Sequence, residues 1–170
     1  MTGKFLLIMR HAKSDWSAGL PDIERPLNKR GVKSAEKISR WLQKNDMIPG
    51  KIISSPSRRT RETVNILCEH MDLDDRIIEW DDRIYEADLA DLLNVLDDMN
   101  PEFRCQLLVG HNPGLDSLVC HLSSTTPMRN STGKLMTTAA LAVFDYGKHG
   151  LNSKKHSARL VQIIRPRELP

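Results

Sequence analysis

Two histidines stand where an apolar run stops. His11 follows Phe5-Leu6-Leu7-Ile8-Met9-Arg10, and His111 follows Leu107-Leu108-Val109-Gly110. An imidazole is partly neutral near pH 7 and can act as a nucleophile. Arg10 adds a permanently charged, forked donor that suits an oxyanion. After His111, Asn112 can cap a helix and Pro113 suits a first helical turn. Two histidines at two strand ends, the second beside a helix start, predict one anion pocket.

A third stretch belongs with them. Ser55-Pro56-Ser57-Arg58-Arg59-Thr60-Arg61-Glu62-Thr63 crowds three arginines into the start of a helix, with Ser55 or Ser57 as its cap. Cations there oppose the helix macrodipole, so something anionic should compensate them. A phosphate would do so, held between Arg10 and an arginine from 58–61. The chemistry this set suits is phosphoryl transfer through a protein nitrogen. His11 would attack in line at phosphorus, while the arginines and His111 would hold the non-bridging oxygens, where charge collects. No metal is required, and no carboxylate or Cys/His cluster is spaced to hold one.

The elements that must position these residues alternate in kind. Strands are expected at Phe5–Met9, Lys51–Ser54, Ile77–Trp80, Leu107–Gly110, Thr138–Phe144 and Ala158–Ile164. Helices are expected near 31–45, after Ser57 with the stripe Val64, Leu67, Cys68 and Met71, near 88–99, and from Pro113 to Leu122. This order predicts an α/β three-layer sandwich with a mostly parallel central sheet flanked by helices, its last two strands antiparallel at an edge. Ligands of such sheets bind at the carboxyl ends of the strands, where Arg10-His11 and His111 fall. The polar segment from Lys13 to Asn28 should line the mouth, and the basic connector at 147–158 should be mobile, with His149 and His156 at the surface.

In this order the motifs resemble the histidine phosphatase superfamily, the branch that includes the phosphoglycerate mutases. Met9-Arg10-His11-Ala12-Lys13-Ser14 is similar to its RHG-type opening with Ala for Gly, and Ser55 to Thr63 to its S-P-x-x-R-x-x-x-T segment. Val109-Gly110-His111-Asn112-Pro113-Gly114 is similar to the motif that carries its second histidine. The register places the second phosphate arginine at Arg59. Finer features, His11-Ala12-Lys13-Ser14, Arg25-Pro26-Leu27 before Arg30-Gly31, and Thr138-Ala139-Ala140, resemble the short SixA-type phosphohistidine phosphatases. The resemblance implies a phosphoglycerate mutase-like fold and a phosphohistidine intermediate on His11. It also implies removal of phosphate from phosphohistidine on a phosphotransfer domain. The general acid of many relatives lies where this chain has Ile84-Tyr85-Glu86-Ala87, making Glu86 the candidate, with Asp88 and Asp82 as rivals. A leaving imidazole is weakly basic, with a pKa of about 6.5, so a dedicated acid would matter less than for an alkoxide. Substrate contacts are expected from Arg10, Arg59, Ser17 and Asn112.

Composition sets the outer bounds. The 170 residues suffice for a single domain over 1–170, and 39% hydrophobic with 28% charged residues is ordinary for a globular protein. No apolar run approaches a membrane span and no N-terminal stretch reads as a signal peptide, so a cytoplasmic protein without membrane contact is expected. Cys68, Cys105 and Cys120 are unpaired in spacing, which favours a reducing compartment and buried thiols. A net charge of +3 permits an acidic substrate but does not argue for nucleic acid. No cofactor is expected, and a monomer is the default. The expected partner is a phosphorylated protein, such as a phosphotransfer domain, or a small phosphorylated metabolite. Two other function classes stay open: a phosphoglycerate mutase-like phosphotransferase or small-molecule phosphatase, and a non-catalytic phosphate-binding module.

Overall fold

The structure, a computed structural model, describes residues 2–170. Strand β1 (Lys4–Arg10) is buried on both sides because its apolar residues run without interruption. Phe5, Leu7 and Met9 enter one core and Leu6 and Ile8 the other. The first core is closed by α1 (Lys29–Lys44) through Ala35, Ile38 and Leu42, and by α2 (Arg58–Met71) through Val64, Leu67 and Met71. The second is closed by α3 (Leu89–Asp97) and α4 (Gly114–Leu122), chiefly through Leu92, Leu96, Leu115 and Leu118. The layers are therefore helix, sheet, helix, as the alternating pattern predicts.

The remaining strands are β2 (Lys51–Ser54), β3 (Ile78–Trp80), β4 (Cys105–Gly110), β5 (Leu141–Gly147) and β6 (Arg159–Ile164). The sheet order is β3-β2-β4-β1-β5-β6. β3, β2, β4 and β1 are parallel, while β5 runs against β1 and β6 against β5. The fold is the expected α/β sandwich with an antiparallel edge. Its helices leave β1 and β4 on opposite faces, so a crevice opens at the carboxyl ends of these two neighbours. Register completes the placement. Arg10 pairs with Gly110, so the next residue on each strand is a histidine.

Three local expectations are corrected. The strand expected from Thr138 starts at Leu141, because Ala139 takes φ +59° and the chain turns there, Ala140 N donating to Thr137 O. Asn112 does not cap α4; its Nδ2 donates to Met136 O at 2.8 Å, and Pro113 precedes the helix with no side-chain cap. Cys120 is exposed, whereas Cys68 and Cys105 are buried. His149 and His156 are exposed, and the His156 ring is tied to Ser123 O. No helix among the described residues is long and apolar enough to cross a membrane.

Close packing of α1 against the loop after β1 depends on Gly31. A Cβ there would lie 2.2 Å from Lys13 O and 2.9 Å from Lys13 N, both backbone atoms that cannot rotate away. Gly31→Ala should therefore cost about 3 kcal/mol and lower Tm by roughly 6–12 °C. A melting curve unchanged from the parent would show that the loop can yield.

Candidate active site

The two histidine rings meet at the β1–β4 crevice with centroids 5.1 Å apart. His11 is buried, and its Nδ1–H donates to Ala12 O at 2.8 Å. That bond fixes the tautomer and leaves the Nε2 lone pair free. Ala12 N donates to Thr63 Oγ1 at 3.0 Å, and Thr63 Oγ1 donates to Arg59 O. The threonine thus links the His11 strand end to the first turns of α2. Ser57 caps α2. Ser55 has a separate task, accepting from His111 Nε2 at 2.8 Å. Arg59 Nη2 lies 3.4 Å from His111 Nδ1, and since a guanidinium only donates, Nδ1 accepts.

Arg59 is the only one of the three helix-start arginines that lines the cavity; its side chain is 6% exposed. Arg58 points outward to Glu62, and Arg61 donates to Pro56 O beneath its stacking on Trp80. The anionic compensation expected for this helix start includes Asp22, from the Lys13–Asn28 loop. Arg59 Nη1 donates to Asp22 O at 2.7 Å and Nη2 to Asp22 Oδ2 at 3.1 Å. Tyr85 donates its hydroxyl to the same Oδ2 at 2.6 Å, and Arg25 bonds Oδ1. The Tyr85 bond, followed by those from Arg25 and Arg59, holds the Asp22 carboxyl far below the usual carboxylate range. Arg25 also donates to Ser14 Oγ at 2.6 Å and stacks on Trp16. The loop is thus strapped across the mouth, with Asp15 N donating to Pro26 O and Asn28 N to Lys13 O.

Arg10 completes the cradle. Its Nη1 donates to Met136 O, the carbonyl that also receives Asn112 Nδ2, while Met136 N donates to Asp116. The Nε donors of Arg10 and Arg59 are buried with no protein acceptor. A charged donor in that state is costly unless an anion takes it. Arg10, His11, Arg59, His111 and Asn112 share one cavity of about 770 Å³. The arrangement can hold a tetrahedral oxyanion between two guanidiniums with a neutral imidazole beside it. No group of three or more His, Cys, Asp or Glu among the described residues is placed to hold a metal.

Two sequence candidates are not brought in. Ser17 is exposed, bonds Asp15 through both its N and its Oγ, and lies outside the cavity. Ser14, buried three residues earlier, lines it instead, as do Ser34 and Ser131. Glu86 is exposed, takes φ +56° and is also outside the lining; Asp82 and Asp88 are exposed as well. The neighbour that faces the site is Tyr85, edge-on to His111 with centroids 5.6 Å apart.

Burial pushes the His11 imidazole down to about 3, with Arg59, Arg10 and His111 adding to the effect against the Ala12 bond. Burial and Arg59 likewise push His111 down to about 4. Both rings are neutral near pH 7, and a bound anion would reverse the arginines' influence. Stability follows with a definite sign. An unfolded histidine titrates at about 6.5, so the folded chain binds fewer protons below that value. Stability is then complete above pH 6.5 and falls until the folded values of about 3 and 4 are passed. At pH 5 each ring should cost about 2 kcal/mol, and His11→Asn/His111→Asn should flatten the decline. Urea denaturation at pH 7.5 and 5 measures it; equal stability at both values for the parent would refute the neutral pair.

A model of the histidine phosphatase superfamily (branch 1) matches residues 6–93, just over half of the chain. The chain belongs to this superfamily. An uncharacterized protein of Mycobacterium leprae is 27% identical over 94% of this chain and all of its own length. Among solved structures, one provisionally assigned as the phosphohistidine phosphatase SixA of Agrobacterium tumefaciens superposes with a TM-score of 0.76. It is 25% identical and covers 96% of this chain and 98% of its own. A protein histidine phosphatase SixA complexed with tungstate gives 0.74 at 20% identity, over 96% and 97% of the two chains. Superfamily membership makes the chain a phosphatase by kinship, and SixA-like proteins share its fold from end to end. Sequence reasoning missed Asp22, Tyr85, Ser55 as the His111 partner, and Met136 O. Asp22 was one of three carboxylates in a polar loop, and a backbone carbonyl leaves no sequence signal.

Proposed function

We propose that the protein hydrolyses a phosphoramidate, protein phosphohistidine in the first instance, through a phosphohistidine formed on His11. The observation that carries this reading is the His11 ring itself: neutral, with Nδ1–H committed to Ala12 O and Nε2 free. In the first step the bond from phosphorus to the leaving imidazole nitrogen breaks as one to Nε2 forms, and the leaving ring, protonated on its other nitrogen, departs as neutral imidazole. Arg10 and Arg59 oppose the charge on the equatorial oxygens, and His111, its Nε2–H kept on Ser55, donates to them from Nδ1 once the anion has raised its proton affinity and drawn Arg59 off that nitrogen. Water then cleaves the His11–phosphorus bond and releases inorganic phosphate.

The leaving group favours phosphohistidine over an alkyl ester. Asp22, the carboxylate nearest the cradle, is held ionised by three donors and has no proton to give. Glu86 lies outside the cavity. A site so built handles a weakly basic leaving group better than an alkoxide. Phosphohistidine and phosphoramidate should therefore be cleaved at least 100-fold faster, as kcat/KM, than an alkyl phosphate; equal rates would overturn the reading. Glu86→Gln should change phosphoramidate turnover less than threefold, and a loss of 100-fold or more would restore Glu86 as the acid.

A further inference from the structure

The cavity is many times larger than the cradle, within the range that takes a whole drug-sized ligand. Its remaining lining therefore reports on the leaving group. Eight Arg and Lys side chains face a single carboxylate, Glu168, across this cavity, in a chain whose basic and acidic residues number 25 and 22. Four of the eight have assigned tasks. Arg10 and Arg59 form the cradle, Arg25 is paired with Asp22, and Arg165 bonds Leu135 O and Met128 O and sits 3.5 Å from Glu168. The other four are Lys13, Arg30, Lys134 and Arg167, none ion-paired among the described residues.

These four come from separate parts of the chain. Lys13 follows β1, Arg30 opens α1, Lys134 precedes β5, and Arg167 lies in the C-terminal turn after β6. Like charges lining one cavity repel one another, and in a cleft they focus a positive potential outward. We infer that this part of the cavity lining is a second anion subsite: the substrate carries, besides the phosphoryl group, a further negatively charged group held among Lys13, Arg30, Lys134 and Arg167. The inference rests on the phosphatase reading for the cradle but not on the identity of the leaving group. The second anion could come from acidic residues flanking a phosphorylated histidine or from a second phosphate on a small molecule.

The test compares matched substrate pairs with the full-length protein and the variant Arg30→Gln/Lys134→Gln/Arg167→Gln. One pair is a phosphohistidine peptide flanked by Glu and the same peptide flanked by Gln. The other is a small bisphosphate and its monophosphate analogue. Phosphoramidate, too small to span both sites, is the reference, and its turnover should be the same in parent and variant. In the parent, one pair should show about a tenfold advantage in kcat/KM for the more anionic member. That advantage should fall to twofold or less in the variant and shrink as salt rises from 0.05 to 0.5 M. An advantage in the peptide pair identifies an acidic protein as the source. An advantage confined to the small pair keeps the subsite and overturns the protein substrate. Indifference of the parent to both pairs, or equal slowing of phosphoramidate in the variant, overturns the subsite. Failure of the cradle reading would show separately, as no turnover of phosphoramidate at all.

Discussion

His11→Ala should lower phosphoramidate turnover by roughly three orders of magnitude or more and abolish the phosphoenzyme. In the parent, quenching during turnover should trap phosphate on a single histidine in a form stable to alkali and lost in acid. The peptide containing Met9-Arg10-His11-Ala12 should carry it. The size of the effect follows from geometry. His111, the neighbouring imidazole, cannot take over, because Ser55 occupies its Nε2 and Arg59 donates to its Nδ1. Thr63 holds the Ala12 amide whichever residue stands at 11, so the backbone should not move and the loss is chemical. Turnover within tenfold of the parent, or a trapped phosphate on another residue, would remove His11 as the nucleophile.

How far the site could be read in the sequence depended on the kind of signal each residue leaves. His11 and His111 were legible because β1 and β4 are uninterrupted apolar runs, and the break in such a run marks a strand end. That the two strands are neighbours was not legible: the chain reaches β4 only after β2 and β3, and sheet order emerges from packing both faces at once. The strap from Lys13 to Asn28 read as irregular because its order comes from Arg25, a buried cation satisfied by Ser14, Asp22 and Trp16. No periodicity announces such a contact. At residues 84–87 motif register drew attention to Glu86, whereas the turn faces Tyr85 inward. Both residues carry a polar group, and the backbone turns left-handed at Glu86, which is exposed, while Tyr85 lies against His111. Asn112 misled because its Nδ2 is turned to Met136 O, while its Oδ1, the atom a cap would use, is buried with no partner.

The contrast between adjacent arginines tests the cradle most sharply. Arg59→Ala should lower kcat by 10²–10³-fold with phosphoramidate, an effect of the order seen when one donor to a developing oxyanion is removed. Arg58→Ala should leave it within twofold, since its pair with Glu62 is an exposed i,i+4 contact worth about 0.3–0.5 kcal/mol. Two residues identical in charge and one position apart thus differ because helical geometry turns one inward and the other out. Arg59→Lys separates charge from shape. A lysine keeps the positive charge but has one nitrogen where Arg59 uses Nη1 for Asp22 O and Nη2 for both Asp22 Oδ2 and His111. It should recover at most tenfold of the loss. It should also weaken vanadate binding less than Arg59→Ala does, because part of the ground-state attraction is simple charge. Full recovery by lysine would mean that Arg59 acts as a point charge and that its anchoring to Asp22 is incidental. Equal sensitivity of Arg58 and Arg59 would mean that the cradle draws on the general field of the helix start, and the tetrahedral site built around Arg10 and Arg59 would fall.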